Sequence, residues 1–429
     1  MHREFLIEDV TYRGERCSVY IKDGKIEDIW YGHEQKRKEV PIIEGKGHIM
    51  LPGLIDCHVH LRDPGQEYKE DIGSGLSAAL AGGFSRVLAM ANTEPVNDNA
   101  SVTSYMISKA GSLYPHGPYL SPVGALTVGL KGRELSPFYE LRDAGCVALS
   151  NDGVPVGNNE IFRRALEYAS AASLLVMDHC EDPSLSEGGL MNEGEVSDRL
   201  GLKGQPVVAE SLQVARDILL AQYLEIPIHL CHISCEQSVE LIYWAKKRGI
   251  RVTAETCPHY LLWDESLIEG YNTLAKVNPP LRTRADVVAV RQGVREGIID
   301  VIATDHAPHA DFEKDVPFAL APNGISGLDT ALSLLWSLVK EGELEIDDLI
   351  RCMCDNPSSI FGLDKNGFKR GDRADVVLFD PHLTWRVSAN SLYSRGKNTP
   401  CMGEDLQGRV RLHIIGGRLL YQHRLEQSQ

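Results

Sequence analysis

Two histidines one residue apart, His58 and His60, stand in the stretch Leu54-Ile55-Asp56-Cys57-His58-Val59-His60-Leu61-Arg62-Asp63-Pro64-Gly65. The apolar run leading into them predicts a buried strand, on which residues i and i+2 point the same way. Two imidazoles side by side on one strand are half of a metal site. Arg62 shares their parity, and Pro64-Gly65 then turns the chain. Alone, a His-x-His pair is as compatible with chance as with a site. Other apolar runs end in polar clusters: Met90-Ala91-Asn92, Ser150-Asn151-Asp152-Gly153, Asp178-His179, Cys231-His232 and Thr304-Asp305-His306-Ala307-Pro308-His309. Together His58, His60, Asp152, His179, His232 and Asp305 offer four imidazoles and two carboxylates. That donor set, without thiolate, suits Zn²⁺ or a similar divalent ion in a catalytic site. Six donors exceed the need of one tetrahedral ion, so two ions sharing one carboxylate is the expected arrangement. Singly, His179 or His232 reads as a satisfied core histidine, Asp152 as a turn residue and Asp305 as a helix cap. Their coincidence at matching strand ends carries the metal reading.

For these residues to meet, the runs must be strands of one sheet with a common polarity. Apolar runs occupy 54–60, 86–92, 118–124, 146–152, 174–180, 226–233, 252–257 and 300–305, with helical patterns between them. Helix ends are marked by Pro137 after Ser136 and by Gly145, and by a Ser234/Gln237 pair and Gly249. Such alternation over this length predicts a (β/α)₈ barrel, whose active site lies at the strands' C-terminal ends. A doubly wound open sheet is the alternative, but no Gly-x-Gly-x-x-Gly follows the first strand. Residues 1–50 and 365–429 look like hairpins, with Asp23-Gly24 and Gly416-Gly417 as turns. Neither end has the apolar surface for its own core. The two termini are therefore expected to pair into one small β domain beside a barrel spanning 51–364.

The bulk composition excludes several classes. With 43% hydrophobic and 24% charged residues the chain reads as an ordinary globular protein. A net charge of −16 argues against nucleic acid or an anionic membrane as the main partner. The N-terminus lacks an apolar signal core, and the ten cysteines follow no framework spacing, so a cytoplasmic protein with reduced thiols is expected. Cys57, Cys180 and Cys231 each neighbour a candidate ligand and are expected to pack outward under helices.

Over essentially its whole length the chain resembles the dihydroorotases of the amidohydrolase superfamily. The residues that carry this are His58 to Gly65, Asn92-Thr93-Glu94-Pro95, Val277-Asn278-Pro279-Pro280-Leu281-Arg282, Thr304 to His309, and Asn323-Gly324-Ile325-Ser326-Gly327-Leu328. The resemblance implies reversible zinc-dependent ring closure of N-carbamoyl-L-aspartate to L-dihydroorotate in pyrimidine synthesis. It also implies a β-sandwich built from both termini, a homo-oligomer and a transcarbamoylase partner. On this reading His58, His60 and Asp305 hold one ion, His179 and His232 the other, and Asp152 lies between. Asp305 doubles as the proton acceptor. Arg62, Asn92 and His309 hold the substrate carboxylate beside His60, while Asn278 and the Asn323-Gly324 backbone read the ring amides. The segment 311–322 is a candidate lid. One departure stands out: many relatives bridge two metals with a carboxylated lysine at the end of strand four, where this chain has Asp152. An aspartate is shorter, and it bridges only if the strand end approaches the metals more closely, so one or two zinc ions per subunit are expected. The rival readings are another cyclic amidohydrolase, such as an allantoinase or dihydropyrimidinase, and an inactive dihydroorotase-like scaffold.

Overall fold

The protein is described from a computed structural model covering residues 4–32, 39–364 and 368–423. Eight parallel strands form its central sheet: β1 (Leu54–Val59), β2 (Phe84–Ala89), β3 (Tyr119–Ala125), β4 (Ala148–Ser150), β5 (Leu175–Asp178), β6 (Ile228–Leu230), β7 (Val252–Thr256) and β8 (Val301–Ile302). They neighbour one another in chain order, and each overlaps one of the apolar runs read from the sequence. The two edges meet at the mouth. Val59 bridges to His306, and His60 N donates to His306 O at 2.8 Å. Below that bridge the buried Asp56 carboxyl accepts from Thr304 N at 3.0 Å and Thr304 Oγ1 at 2.6 Å. A side-chain clamp replaces a ladder there because β8 is only two residues long. Burial pushes the Asp56 carboxyl up to about 6.

Helices cover the outside of the barrel. The first, Ile72–Gly82, starts at Asp71, whose side chain accepts from Ser74 N, and ends at Gly83 in the left-handed region with φ 89°. The termini build a second sheet of eight strands. Its order is Arg418–Gln422, Asp405–Ile415, Val376–Arg386, Ile49–Pro52, Glu4–Tyr12, Glu15–Lys22 and Lys25–Tyr31, with Ile42–Glu44 added beside Glu4–Tyr12. Asp23 and Gly24 both have positive φ (48° and 80°), as the two-residue hairpin turn between Lys22 and Lys25 requires. This sheet is tied to the barrel by buried His413, which bonds to Leu80 O at 3.0 Å and Ser85 Oγ at 2.9 Å. Among the described residues no helix is long and apolar enough to cross a membrane.

Two expectations of side-chain direction need correction. β1 ends at Val59, and its pairing register shifts between Asp56 and Val59. Cys57 therefore faces the barrel interior, packed with Ile55, Leu88 and Cys231, and His58 follows it inward across the bulge. Cys231 also faces in, because the positive φ of His232 (34°) breaks the strand alternation between them. Of the three cysteines only Cys180 points out, toward Asp217 on the helix Val208–Leu224. Arg62 likewise lies beyond the regular strand. It reaches the mouth through a left-handed backbone (φ 58°) rather than by strand parity.

Candidate metal centre and substrate pocket

Asp152 sits at the centre of the mouth. β4 stops at Ser150, and Asn151 pins the following turn. Its Oδ1 accepts from Thr127 N at 3.1 Å and its Nδ2 donates to Val154 O at 2.9 Å. That leaves the Asp152 carboxylate pointing inward, in reach of imidazoles from three other strands. His58 Nε2 lies 3.3 Å from it, His60 Nε2 3.4 Å, His179 Nδ1 3.3 Å and His232 Nε2 3.4 Å. The short aspartate therefore does approach closely enough to serve both halves of the cluster. Burial opposes its ionisation, but His58, His179 and His232 hold the carboxyl well below the usual range. Asp305 lies on the far wall, with Oδ1 3.1 Å from His60 Nε2 and 3.6 Å from His58 Nε2. Its backbone is left-handed (φ 46°), because the next residue, His306, must turn back to pair with β1. His306 is fixed in turn: its Nδ1 accepts from Gly327 N at 3.1 Å and its Nε2 lies 3.3 Å from buried Glu70.

The donor set fits divalent ions. His58, His60 and Asp152 offer one close group of ligand atoms, and Asp152, His179 and His232 offer a second. His58 Nε2, the ring nitrogen that faces Asp152 and Asp305, is buried without a hydrogen-bond partner, an arrangement costly for a polar atom that binds nothing. Two carboxylates missed in the sequence support these rings. Glu255 on β7 accepts from His58 Nδ1 at 2.7 Å and faces His229 Nε2 at 3.2 Å. Glu181 faces His179 Nε2 at 3.3 Å and accepts from Asn278 Nδ2 at 2.7 Å. The signal for Glu181 was present, since His179-x-Glu181 repeats the spacing of His58-x-His60. A carboxylate behind a ligating histidine fixes its ring and raises its basicity. Glu181→Gln is therefore expected to weaken ion binding at the His179 half of the cluster by roughly 10- to 100-fold. Chelator competition, compared with the His58 half, checks this.

Beside the cluster lies a cavity of about 230 Å³, below the roughly 300–1,000 Å³ of drug-sized sites, so its ligand is small. His60, Arg62, Asn92, Asn278, His309, Asn323 and Gly324 all line it. Arg62 Nε donates to Pro308 O at 3.3 Å, and among the described residues its guanidinium forms no ion pair. A surface ion pair with Asp63 or Glu67 is the alternative use of Arg62, and neither forms among the described residues: the Asp63 carboxylate is taken by Lys109 (2.7 Å) and Tyr105 (3.0 Å). Asn92 Oδ1 lies 2.7 Å from His60 Nδ1, which fixes the ring and leaves the Asn92 amide N–H groups for a ligand. Asn278 donates to Glu181, so its carbonyl oxygen remains. His309 Nε2 lies 2.8 Å from Asn323 O, an acceptor, so the ring proton is there and Nδ1 is bare. Burial and the nearby Arg62 and Lys314 charges push its imidazolium down to about 2. Gly324 has φ 143°, and a Cβ there would lie 2.6 Å from Ala307 O and 3.0 Å from His309 Nε2. Asn398, from the C-terminal stretch, ties this wall together by accepting from His309 N at 2.8 Å and donating to Gly324 O at 2.9 Å. Arg282 does not reach the cavity. It is buried against Ser234, Asn192 and Gln205 and braces the insertion after β5.

Comparison with known proteins bears on this geometry. A family model described as dihydro-orotase-like matches residues 47–238. The chain is 48% identical over 410 residues to a dihydroorotase of Geobacter metallireducens, covering 95% of each protein. It is 47% identical over 421 residues to a dihydroorotase of Acetivibrio thermocellus, covering 98% of each. Among solved structures, the L-hydantoinase (dihydropyrimidinase) of Arthrobacter aurescens superposes with a TM-score of 0.86 at 22% identity, covering 98% of this chain and 96% of that one. At that identity the likeness speaks to the shared barrel fold.

Proposed function

The chain belongs to the dihydroorotase family, and on that premise we propose that it closes N-carbamoyl-L-aspartate to L-dihydroorotate, and opens the ring again, in pyrimidine synthesis. The observation that carries the substrate assignment is Arg62, a guanidinium with no ion pair among the described residues, on the wall of a small cavity at the ligand cluster. Hydantoin-type rings bear no carboxylate to meet it. We assign His58, His60 and Asp305 to one ion, His179 and His232 to a second, and Asp152 to both, with zinc the ion their chemistry suits. Such ions, when bound, ionise a water near neutral pH and polarise an amide carbonyl.

This chain's residues do the rest. Arg62 and the Asn92 amide grip the ring carboxylate, Arg62 by a fork of charged donors. His309 closes the carboxylate's end of the cavity, its neutral ring fixed by Asn323 O at 2.8 Å. The Asn278 carbonyl and the Asn323-Gly324 backbone take the ring amide groups. In the hydrolytic direction Asp305 accepts the proton of the attacking water. The ring C–N bond breaks, and Asp305 returns the proton to the departing nitrogen. Synthesis runs the same transfers in reverse.

The test is ring opening of L-dihydroorotate by the zinc-reconstituted protein, with allantoin and dihydrouracil in parallel. Turnover of dihydroorotate alone is expected, and turnover of the neutral rings instead would overturn the substrate assignment. Arg62→Met removes hydrogen bonds to a charged group worth about 1.5–3 kcal/mol. It is therefore expected to raise KM for dihydroorotate roughly 10- to 100-fold with kcat little changed, and steady-state kinetics checks this.

A further inference from the structure

Lys276 and Lys314 lie behind the substrate cavity, each only 4% exposed. Lysine is almost never this buried without a carboxylate partner, yet among the described residues neither forms an ion pair. Both spend their donors on backbone carbonyls instead. Lys276 Nζ donates to Phe318 O at 2.8 Å, Ala319 O at 3.3 Å and Ala321 O at 2.7 Å. Lys314 Nζ donates to Thr273 O at 3.1 Å, Lys276 O at 3.3 Å and Pro322 O at 2.7 Å. Gly324 N closes the knot by donating to Lys276 O at 2.9 Å. The backbone held this way runs directly into Asn323 and Gly324, and Asn323 O is the group that fixes His309.

Burying ammonium charges without counterions is costly, and the hydrogen bonds alone do not require charge of this kind at this place. The location offers a reason. The protein carries a net charge of −16, whereas this rim gathers Arg62, Lys69 and Lys314 around His309 against the single carboxylate of Glu313, which pairs with Lys69 at 3.0 Å and lies 3.6 Å from His309 Nδ1. Burial pushes the Lys314 ammonium down to about 7. A neutral amine, however, has only two N–H donors for three carbonyl oxygens, so the cage favours the charged form against that burial.

We infer that Lys276 and Lys314 are positioning residues that determine specificity: they fix the 318–324 backbone as a wall of the cavity and supply positive potential that favours an anionic ring over a neutral one. The inference rests on the dihydroorotase reading of the pocket. It also makes the segment 311–322 a tied wall rather than the lid suggested by the sequence. The two ammonium groups do not touch substrate. They act through Asn323, Gly324 and His309 and through the local field.

The test uses Lys276→Met and Lys314→Met in the metal-loaded enzyme, since methionine keeps the stem and removes the charge. Five quantities are read: metal content, the dissociation constants of orotate and of its neutral counterpart uracil by calorimetry, and KM and kcat for dihydroorotate. The inference expects orotate affinity to fall, and KM to rise, by roughly tenfold to a hundredfold. Metal content should be unchanged, kcat nearly so, and the neutral ring, which shares only the amide contacts of the wall, should lose several-fold less affinity than the anionic one. A metal-replete variant that binds orotate like the wild type overturns it, and so does equal loss for the charged and neutral rings. If a methionine variant does not fold, Lys314→Arg is read in its place. It keeps the charge but displaces Pro322, so orotate affinity must still fall several-fold, and wild-type affinity overturns the positioning role. A metal-bound wild type that neither binds orotate nor opens dihydroorotate overturns the functional reading and this inference together. Wild-type turnover with unchanged variants overturns this inference alone.

Discussion

Asp305→Asn is expected to lower kcat by about 10²- to 10⁴-fold, the usual contribution of a positioned acid–base group. Asn keeps an oxygen where Asp305 Oδ1 now faces His60 at 3.1 Å, so ion binding at that half of the cluster should largely survive. It cannot accept a proton from water and hand it to nitrogen. KM for dihydroorotate should change little, because Arg62 and Asn92 hold the carboxylate on another wall. Parallel metal analysis and steady-state kinetics separate the two roles of Asp305. If kcat stays within tenfold of wild type, Asp305 is a ligand only. Its carboxyl is held below the usual range, against its burial, by His58 and His60. The base is therefore ionised throughout the neutral range, and activity should not fall between pH 8 and 6 on account of Asp305.

Asp152→Ala is expected to be at least as damaging, and for a different reason. Among the described residues Asp152 is the one side chain within 3.4 Å of an imidazole nitrogen of His58, His60, His179 and His232 alike. Removing it takes a ligand from both proposed ions at once. Losing several kcal/mol of Lewis-acid stabilisation corresponds to about 10³-fold in rate or more. Metal content per chain should fall below that of His179→Asn, which disturbs one half only. Elemental analysis after gel filtration checks the order. A variant with full metal content would show that the two triads are held independently, and that the aspartate at the end of β4 does not bridge.

Much of this centre was legible in the sequence because parallel strands impose a simple rule. Every strand of a barrel ends at the same face, so polar residues closing apolar runs must meet. His58, His60, Asp152, His179, His232 and Asp305 were found that way, and the Asp23-Gly24 and Gly416-Gly417 turns likewise announced the hairpins of the terminal sheet. The supporting shell was less legible. Glu255 is the penultimate residue of β7, 197 residues after the histidine it touches, and nothing local marks a buried glutamate as a partner. Strand parity also misled where the backbone left the regular ladder: the bulge in β1 and the positive φ of His232 turned Cys57 and Cys231 inward.

The sequence by itself determined the barrel and the donor set, since each depends on residue type and local periodicity, and its resemblance to the dihydroorotases supplied the substrate class to test. Tertiary structure alone decided how those groups work together. The reach of the short Asp152 depends on Asn151 locking a turn against Thr127 and Val154. The single proton on His309 is assigned by Asn323, fourteen residues away, and the backbone that carries Asn323 is held by two buried lysines. Distance, tautomer and local potential are set by atoms brought together from remote parts of the chain. Their spacing along the chain carries no record of them.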